Sequence, residues 1–195
     1  MQKKTTWESR CTNLITPKKP FRGNDDTKYG KEHEPIALRL LADSLPDHNI
    51  ETKFGFCVNS RMPCFGFSPD GIMDKKELLE VKCLAVGKKL AGEAFCEQLT
   101  KKPKYLEKTD DGIYVLKKNA FYTQIQFGLA VLNLSRGKLI LYYNNSSAEG
   151  VIPIDVPRDN DFIAELVESL KNIYYCNVLP FLVRNRTQLL LNKDL

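Results

Sequence analysis

The residues best suited to chemistry lie in one short stretch. In Leu78-Leu79-Glu80-Val81-Lys82-Cys83 the alternation of a β-strand sends Glu80 and Lys82 to one face and Leu79, Val81 and Cys83 to the other. Asp70 lies ten residues before Glu80 in Ser68-Pro69-Asp70-Gly71, a turn signal, so one hairpin could set the two carboxylates side by side. Neighbouring carboxylates repel and hold their protons more tightly unless a cation sits between them. An all-oxygen pair of this kind suits Mg²⁺ or Mn²⁺, and Lys82 beside it could position or deprotonate a bound water and offset charge building on a phosphate. The alternative for these residues is a solvated strand face with an unrelated turn aspartate.

The elements that must position them follow from pattern. Residues 1–29 read as an irregular basic lead-in with one short helix near Trp7. Ile36, Ala37, Leu40 and Leu41 form a helical stripe, and Pro35, tolerated in a first turn, starts that helix near Lys31. Residues 53–67 read as two short strands about Asn59-Ser60-Arg61; with Ile72-Met73 and Leu78–Leu84 they make a β-meander. Residues 85–118 are lysine-rich and weakly periodic, with a mobile loop expected near Lys101 and a short strand at Ile113–Leu116. Asn119 is N-cap material for a helix to about Leu134; strands follow at Lys138–Tyr143 and Val151–Val156, the second an edge strand because it carries Pro153. A last amphipathic helix begins after Asp159-Asn160-Asp161 and ends before Pro180. The fold class expected is mixed α/β (α+β), a single domain of residues 1–195 with a central mixed sheet flanked by helices: lead-in 1–29, core 30–134, C-terminal strands and helix 135–195.

Composition narrows the function classes. With 195 residues and 43% hydrophobic content the chain can build a core, which excludes a disordered tail protein. No apolar run approaches the roughly 18–20 residues of a bilayer span, so no membrane partner is expected. The N-terminus shows no apolar leader, giving an intracellular expectation. Six cysteines without a C-x-x-C pair and only two histidines argue against zinc and against a disulfide framework. Net charge is +5, but residues 32–81 carry −4 between basic segments at 1–31 and 82–118. Basic flanks around an acidic middle suit a polyanion held over a divalent cation; an unevenly charged, solvated surface would look the same. Lys101, Lys102 and Lys104 could contact a nucleic-acid backbone or simply be solvated.

Four motifs, in order, carry a resemblance. Asp70 and Glu80-Val81-Lys82 resemble the Asp…Glu-x-Lys core of the PD-(D/E)XK nuclease superfamily, with its restriction-endonuclease-like core. Tyr29-Gly30-Lys31-Glu32-His33-Glu34-Pro35-Ile36-Ala37, Phe67–Ile72, Leu79–Cys83 and Phe121-Tyr122-Thr123-Gln124-Ile125-Gln126 together resemble the YqaJ-type viral recombinase, or lambda-type alkaline exonuclease, family. The resemblance implies metal ligation by Glu34, Asp70, Glu80 and the Val81 carbonyl, with Mg²⁺ (or Mn²⁺) as cofactor and two ions. It also implies catalytic roles for Lys82 and Gln124. On a helix Gln124 and Gln126 point about 200° apart, which favours Gln124 alone. Arg10-Cys11-Thr12 resembles the start of the family's Arg-x-Thr-Ala-Ser segment, implying Arg10 and Ser68 as grips for a 5′-phosphate, although this chain continues Asn13-Leu14.

The function expected is a metal-dependent DNA nuclease, a 5′-to-3′ exonuclease on duplex ends in recombination or viral DNA processing. The alternatives are an endonuclease or single-strand nuclease on the same core, or a non-catalytic DNA-binding module. A single-strand annealing protein and a trimeric ring are the implied partner and assembly.

Overall fold

A computed structural model describes residues 6–16, 23–101 and 104–186. The chain divides into two compact units, Gly23–Ile163 and the two chain ends, Met1–Arg22 with Ala164–Leu195.

In the larger unit, α2 (Asp25–Ser44) starts earlier than the sequence suggests. Asn24 caps it by accepting the Thr27 N–H at 2.8 Å, and Asp25 and Asp26 sit at the positive end of its dipole. Pro35 therefore falls inside the helix rather than in its first turn. Its exposed ring forfeits one backbone bond, a loss set against burial of Ala37, Leu38 and Leu41 against the sheet. Nor are residues 1–29 irregular throughout: besides the first turns of α2 they hold α1 (Trp7–Ile15), the short helix expected near Trp7.

The sheet runs β1 (Ile50–Glu51), β4 (Gly71–Met73), β5 (Glu77–Cys83), β8 (Arg136–Asn144), β9 (Glu149–Pro157) in spatial order. Only β5 and β8 are parallel; β9 is the edge, as Pro153 foretold. The meander expected over residues 53–84 is instead two hairpins in different sheets. β2 (Cys57–Val58) pairs with β3 (Gly66–Phe67) in a separate ribbon, while β4 pairs antiparallel with β5. Pro69, which has no N–H to donate, lies between β3 and β4 and interrupts the ladder.

One sheet face carries Leu79, Val81, Ile140 and Tyr142, packed on the buried stripe of α2. The other is covered by α4 (Ala120–Leu132), capped as expected by Asn119. The approach is closest at Gly128, where an added Cβ would lie 2.6 Å from Leu78 Cδ2 and 2.8 Å from the Phe67 ring.

Residues 85–118 hold more structure than their lysine content suggests. A 3₁₀ turn at Ala85–Lys88 leads to α3 (Gly92–Lys101), which buries Phe95, Cys96 and Leu99, and then to the hairpin of β6 (Leu106–Lys108) and β7 (Tyr114–Leu116). Three buried positions in a ten-residue helix are too few to stand out as a period. Lys101, where a mobile loop is expected, is instead the last residue of α3; Lys102 and Pro103 lie outside the described residues.

After β9, α5 (Asn160–Ile173) does not end the helical run before Pro180. A π turn at Tyr174–Val178 leads into α6 (Leu179–Arg184), with Pro180 in its first turn, where a missing N–H costs little. In the smaller unit α1 packs on this π turn and α6, and the buried Cys11 thiol lies 3.9 Å from the Asn177 carbonyl.

Candidate active site

The site is created by a mismatch in strand length. β4 begins at Gly71 opposite Leu79, so β5 continues for four residues without a partner on that edge. Asp70, one residue beyond the pairing, fills the gap: its Oδ2 accepts the Val81 N–H at 2.7 Å. Because N–H and C=O of a strand residue point to the same edge, the Val81 carbonyl also faces the space that β4 has vacated.

Glu80 is the most enclosed member, only 2% exposed. Its Oε1 accepts from Lys82 Nζ at 2.5 Å and from Gln124 Nε2 at 2.6 Å. Its Oε2 is buried without a hydrogen-bond partner. Gln124 is itself exposed, so it reaches inward from the rim. Gln126 is wholly buried; it donates to the Pro157 carbonyl at 2.8 Å and accepts the Asp159 N–H at 3.0 Å. Of the two glutamines only Gln124 meets the carboxylates, as the helical angle required.

Glu34 approaches from α2, partly buried, and shares with Asp70 a cleft of about 340 Å³. His33, one residue before Glu34, has its Nδ1 2.8 Å from the Tyr29 carbonyl. Arg39 and Thr52 line the same cleft, and sequence reasoning missed both. Arg39 is a lone cation on a helix stripe read for its apolar residues, and Thr52 follows a two-residue strand with no pattern of its own.

The three carboxyls share one electrostatic condition. Burial first and Asp70 second push Glu80 up to about 7 in all, against the opposing pull of Lys82. Burial likewise raises Asp70, against the Val81 N–H and Lys82, and it raises Glu34 with help from Asp70. The Cys83 thiol is pushed up to about 12 by burial and then by Glu34 and Asp70. Three carboxyls crowd the site beside one ammonium, Lys82, with the Arg39 guanidinium lining the cleft.

That crowding, with the orphaned Glu80 oxygen, fits a divalent cation on a hard, all-oxygen donor set. Among the described residues no three acidic, thiol or imidazole side chains gather into a finished cage. Asp70 Oδ2 and Glu80 Oε1 already have partners, which leaves Asp70 Oδ1, Glu80 Oε2, Glu34 and the Val81 carbonyl as donors.

Ser68 is exposed in the turn that carries Asp70. Arg10 belongs to the smaller unit, its guanidinium 5.0 Å from the centroid of Trp7. Lys101 and Lys104 are exposed, and Lys102 is outside the described residues. No described helix is long and apolar enough to cross a membrane.

Solved structures share this architecture. An alkaline exonuclease from Laribacter hongkongensis matches over 96% of this chain and 80% of its own, at 19% identity and a TM-score of 0.58. The same enzyme in complex with dAMP matches over 94% and 83%, at 18% identity and a TM-score of 0.64. A phage-related exonuclease from Haemophilus somnus 129PT matches over 85% and 78%, at 13% identity and 0.57. At these identities the likeness establishes the fold, a central mixed sheet flanked by helices. No curated protein matches by sequence. The family model for the YqaJ-like viral recombinase domain matches residues 2–135, the stretch that contains Glu34, Asp70, Glu80, Lys82 and Gln124. The chain belongs to the YqaJ-like viral recombinase domain family.

Proposed function

We propose that the chain is a divalent-metal-dependent DNA nuclease, an exonuclease that hydrolyses phosphodiester bonds from duplex ends in the 5′-to-3′ direction. The observation that carries this reading is the frustrated cluster at the end of β5: three carboxyls that all hold their protons too tightly, one buried oxygen without a partner, and a lysine beside them. The family and the exonuclease folds support it.

Glu34, Asp70, Glu80 and the Val81 carbonyl would hold the metal, Mg²⁺ or Mn²⁺. When bound, it would supply Lewis-acid activation of the phosphate and of the attacking water. Glu80 is held by Gln124 and Lys82 through Oε1, which leaves the buried Oε2 without a partner. Lys82 keeps further N–H bonds with which to orient the water, and its charge sits where negative charge builds as water oxygen joins phosphorus and the 3′-oxygen leaves. Asp70 sets the register by gripping Val81. Ser68, exposed at the same turn, and Arg10 are the proposed contacts to a terminal 5′-phosphate, while Lys101, Lys102 and Lys104 would touch the backbone. A trimeric ring and an annealing-protein partner complete the proposal.

The test uses linear duplex with a 5′-phosphate or 5′-hydroxyl, and a covalently closed circle, each with Mg²⁺, Mn²⁺ or EDTA. Metal-dependent loss of the phosphorylated linear substrate alone is the expected result. Cutting of the closed circle would replace the exonuclease with an endonuclease. No cutting in either metal would leave a binding module.

A further inference from the structure

Beside the carboxylates stand two aromatic rings that bond hydrolysis does not require. Phe121 precedes Gln124 by three residues on α4, so the two share a helix face turned toward Glu80 and Lys82. Its ring is partly exposed, and Lys82 Nζ lies 5.3 Å from its centroid. Tyr105, also partly exposed, pairs with Phe121 at 4.5 Å between centroids and a 35° tilt.

The pair is held in place by backbone bonds. The Tyr105 N–H donates to the Leu99 carbonyl at 2.8 Å, and its own carbonyl accepts from the Lys117 N–H at 3.0 Å and from Asn119 Nδ2 at 3.1 Å. The same Asn119 caps α4, its Oδ1 accepting the Phe121 N–H at 2.8 Å. One side chain thus ties together the backbones of both rings. Neighbouring Tyr122 shows the ordinary alternative: it is buried, with its hydroxyl donating to Asp159 at 2.7 Å. Phe121 instead leaves apolar ring surface at the rim of a charged site.

Resting on the nuclease reading, we propose that Phe121 and Tyr105 form a stacking platform for a nucleobase next to the cleaved phosphate. A phosphodiester seated at Lys82 brings the base of an adjoining nucleotide within reach of these rings. An aromatic face binds any base and discriminates little among sequences. The nucleotide would therefore be cut with its base drawn out of the duplex stack.

The test is single-turnover cleavage of linear duplexes in which each nucleotide flanking the first cleaved bond is, in turn, natural or abasic. The parent should cut one of the abasic substrates roughly 5- to 150-fold more slowly than the natural one, the range that loss of one base–aromatic stack gives. Phe121→Leu should cut the natural substrate at about the abasic pace and lose the discrimination, and Phe121→Tyr should restore it. If the ring serves only to hold Lys82, Phe121→Leu will slow natural and abasic substrates equally, and the platform is wrong. A parent indifferent to both abasic positions overturns the platform and leaves the nuclease standing, without needing any variant to fold. A parent that cuts nothing in Mg²⁺ or Mn²⁺ overturns the nuclease reading itself.

Discussion

Glu77 and Glu80 lie three residues apart on β5, 4% and 2% exposed, and differ in almost everything else that matters. Glu77, at the start of the strand, has Arg136 Nε at 2.5 Å and Lys138 Nζ at 3.4 Å. Two cations stand by Glu77 there, Lys138 shared with Asp155, and although Glu77 Oε2 like Glu80 Oε2 makes no hydrogen bond, it has the Lys138 ammonium beside it. Glu80 has one ammonium, one amide and two further carboxyls, with an oxygen left over. Burial alone does not mark a functional acid; unanswered negative charge does. The ladder explains the placement: the start of β5 is paired on both sides by β4 and β8, whereas beyond Leu79 only β8 remains.

Substitutions at the two ends should break this contrast in different currencies. The largest effect is expected for Glu80→Gln or Lys82→Ala, each lowering cleavage by at least about a thousandfold in Mg²⁺ or Mn²⁺ while the fold is retained, on the scale of removing an electrostatic stabiliser from a reacting centre. Retained cleavage in a time course would remove the site. Next, Lys138→Met should cost on the order of 1 kcal/mol of stability, because Glu77 loses one of two cations and keeps Arg136, with the rate of cleavage unchanged; urea unfolding beside the same time course checks both. Gln124→Ala should slow cleavage by about ten- to a hundredfold, because Glu80 loses the amide that fixes it but keeps Lys82. The smallest effect is on pH dependence without metal. The unfolded chain releases the Glu80 proton near 4.5 and the folded chain near 7. The folded state therefore binds more protons across that window, and stability falls as pH rises from about 4.5 to 7, with Asp70 and Glu34 contributing in the same direction. Melting in EDTA should drop by several degrees over this range, and Glu80→Gln should flatten the drop.

The grouping of Asp70, Glu80 and Lys82 was legible because its geometry is local, whereas Glu34 and Gln124, distant in sequence, were implied only by the resemblance. Strand alternation fixed the faces of Glu80 and Lys82, one turn set Asp70 against them, and helix angle separated Gln124 from Gln126. What escaped depends on partners distant in sequence. Nothing in residues 85–118 announces that Phe95, Cys96 and Leu99 bury together, or that Tyr105 meets Phe121 across an asparagine cap. The start of α2 was misplaced because Pro35 reads as a first-turn residue, while the burial that offsets its cost comes from a sheet assembled later in the chain. The hairpins at residues 57–67 and 71–83 follow one another in sequence, so assignment to separate sheets could not be read from strand pattern alone.

The crowded carboxyls at the Glu80 end of β5 would be relieved by a divalent cation, which melting at pH 8 can reveal. Parent and Glu80→Gln are compared in EDTA and in Mn²⁺. The variant should melt higher than the parent in EDTA, and Mn²⁺ should raise the parent but leave the variant nearly unmoved. A parent that is the more stable in EDTA and indifferent to Mn²⁺ would contradict it.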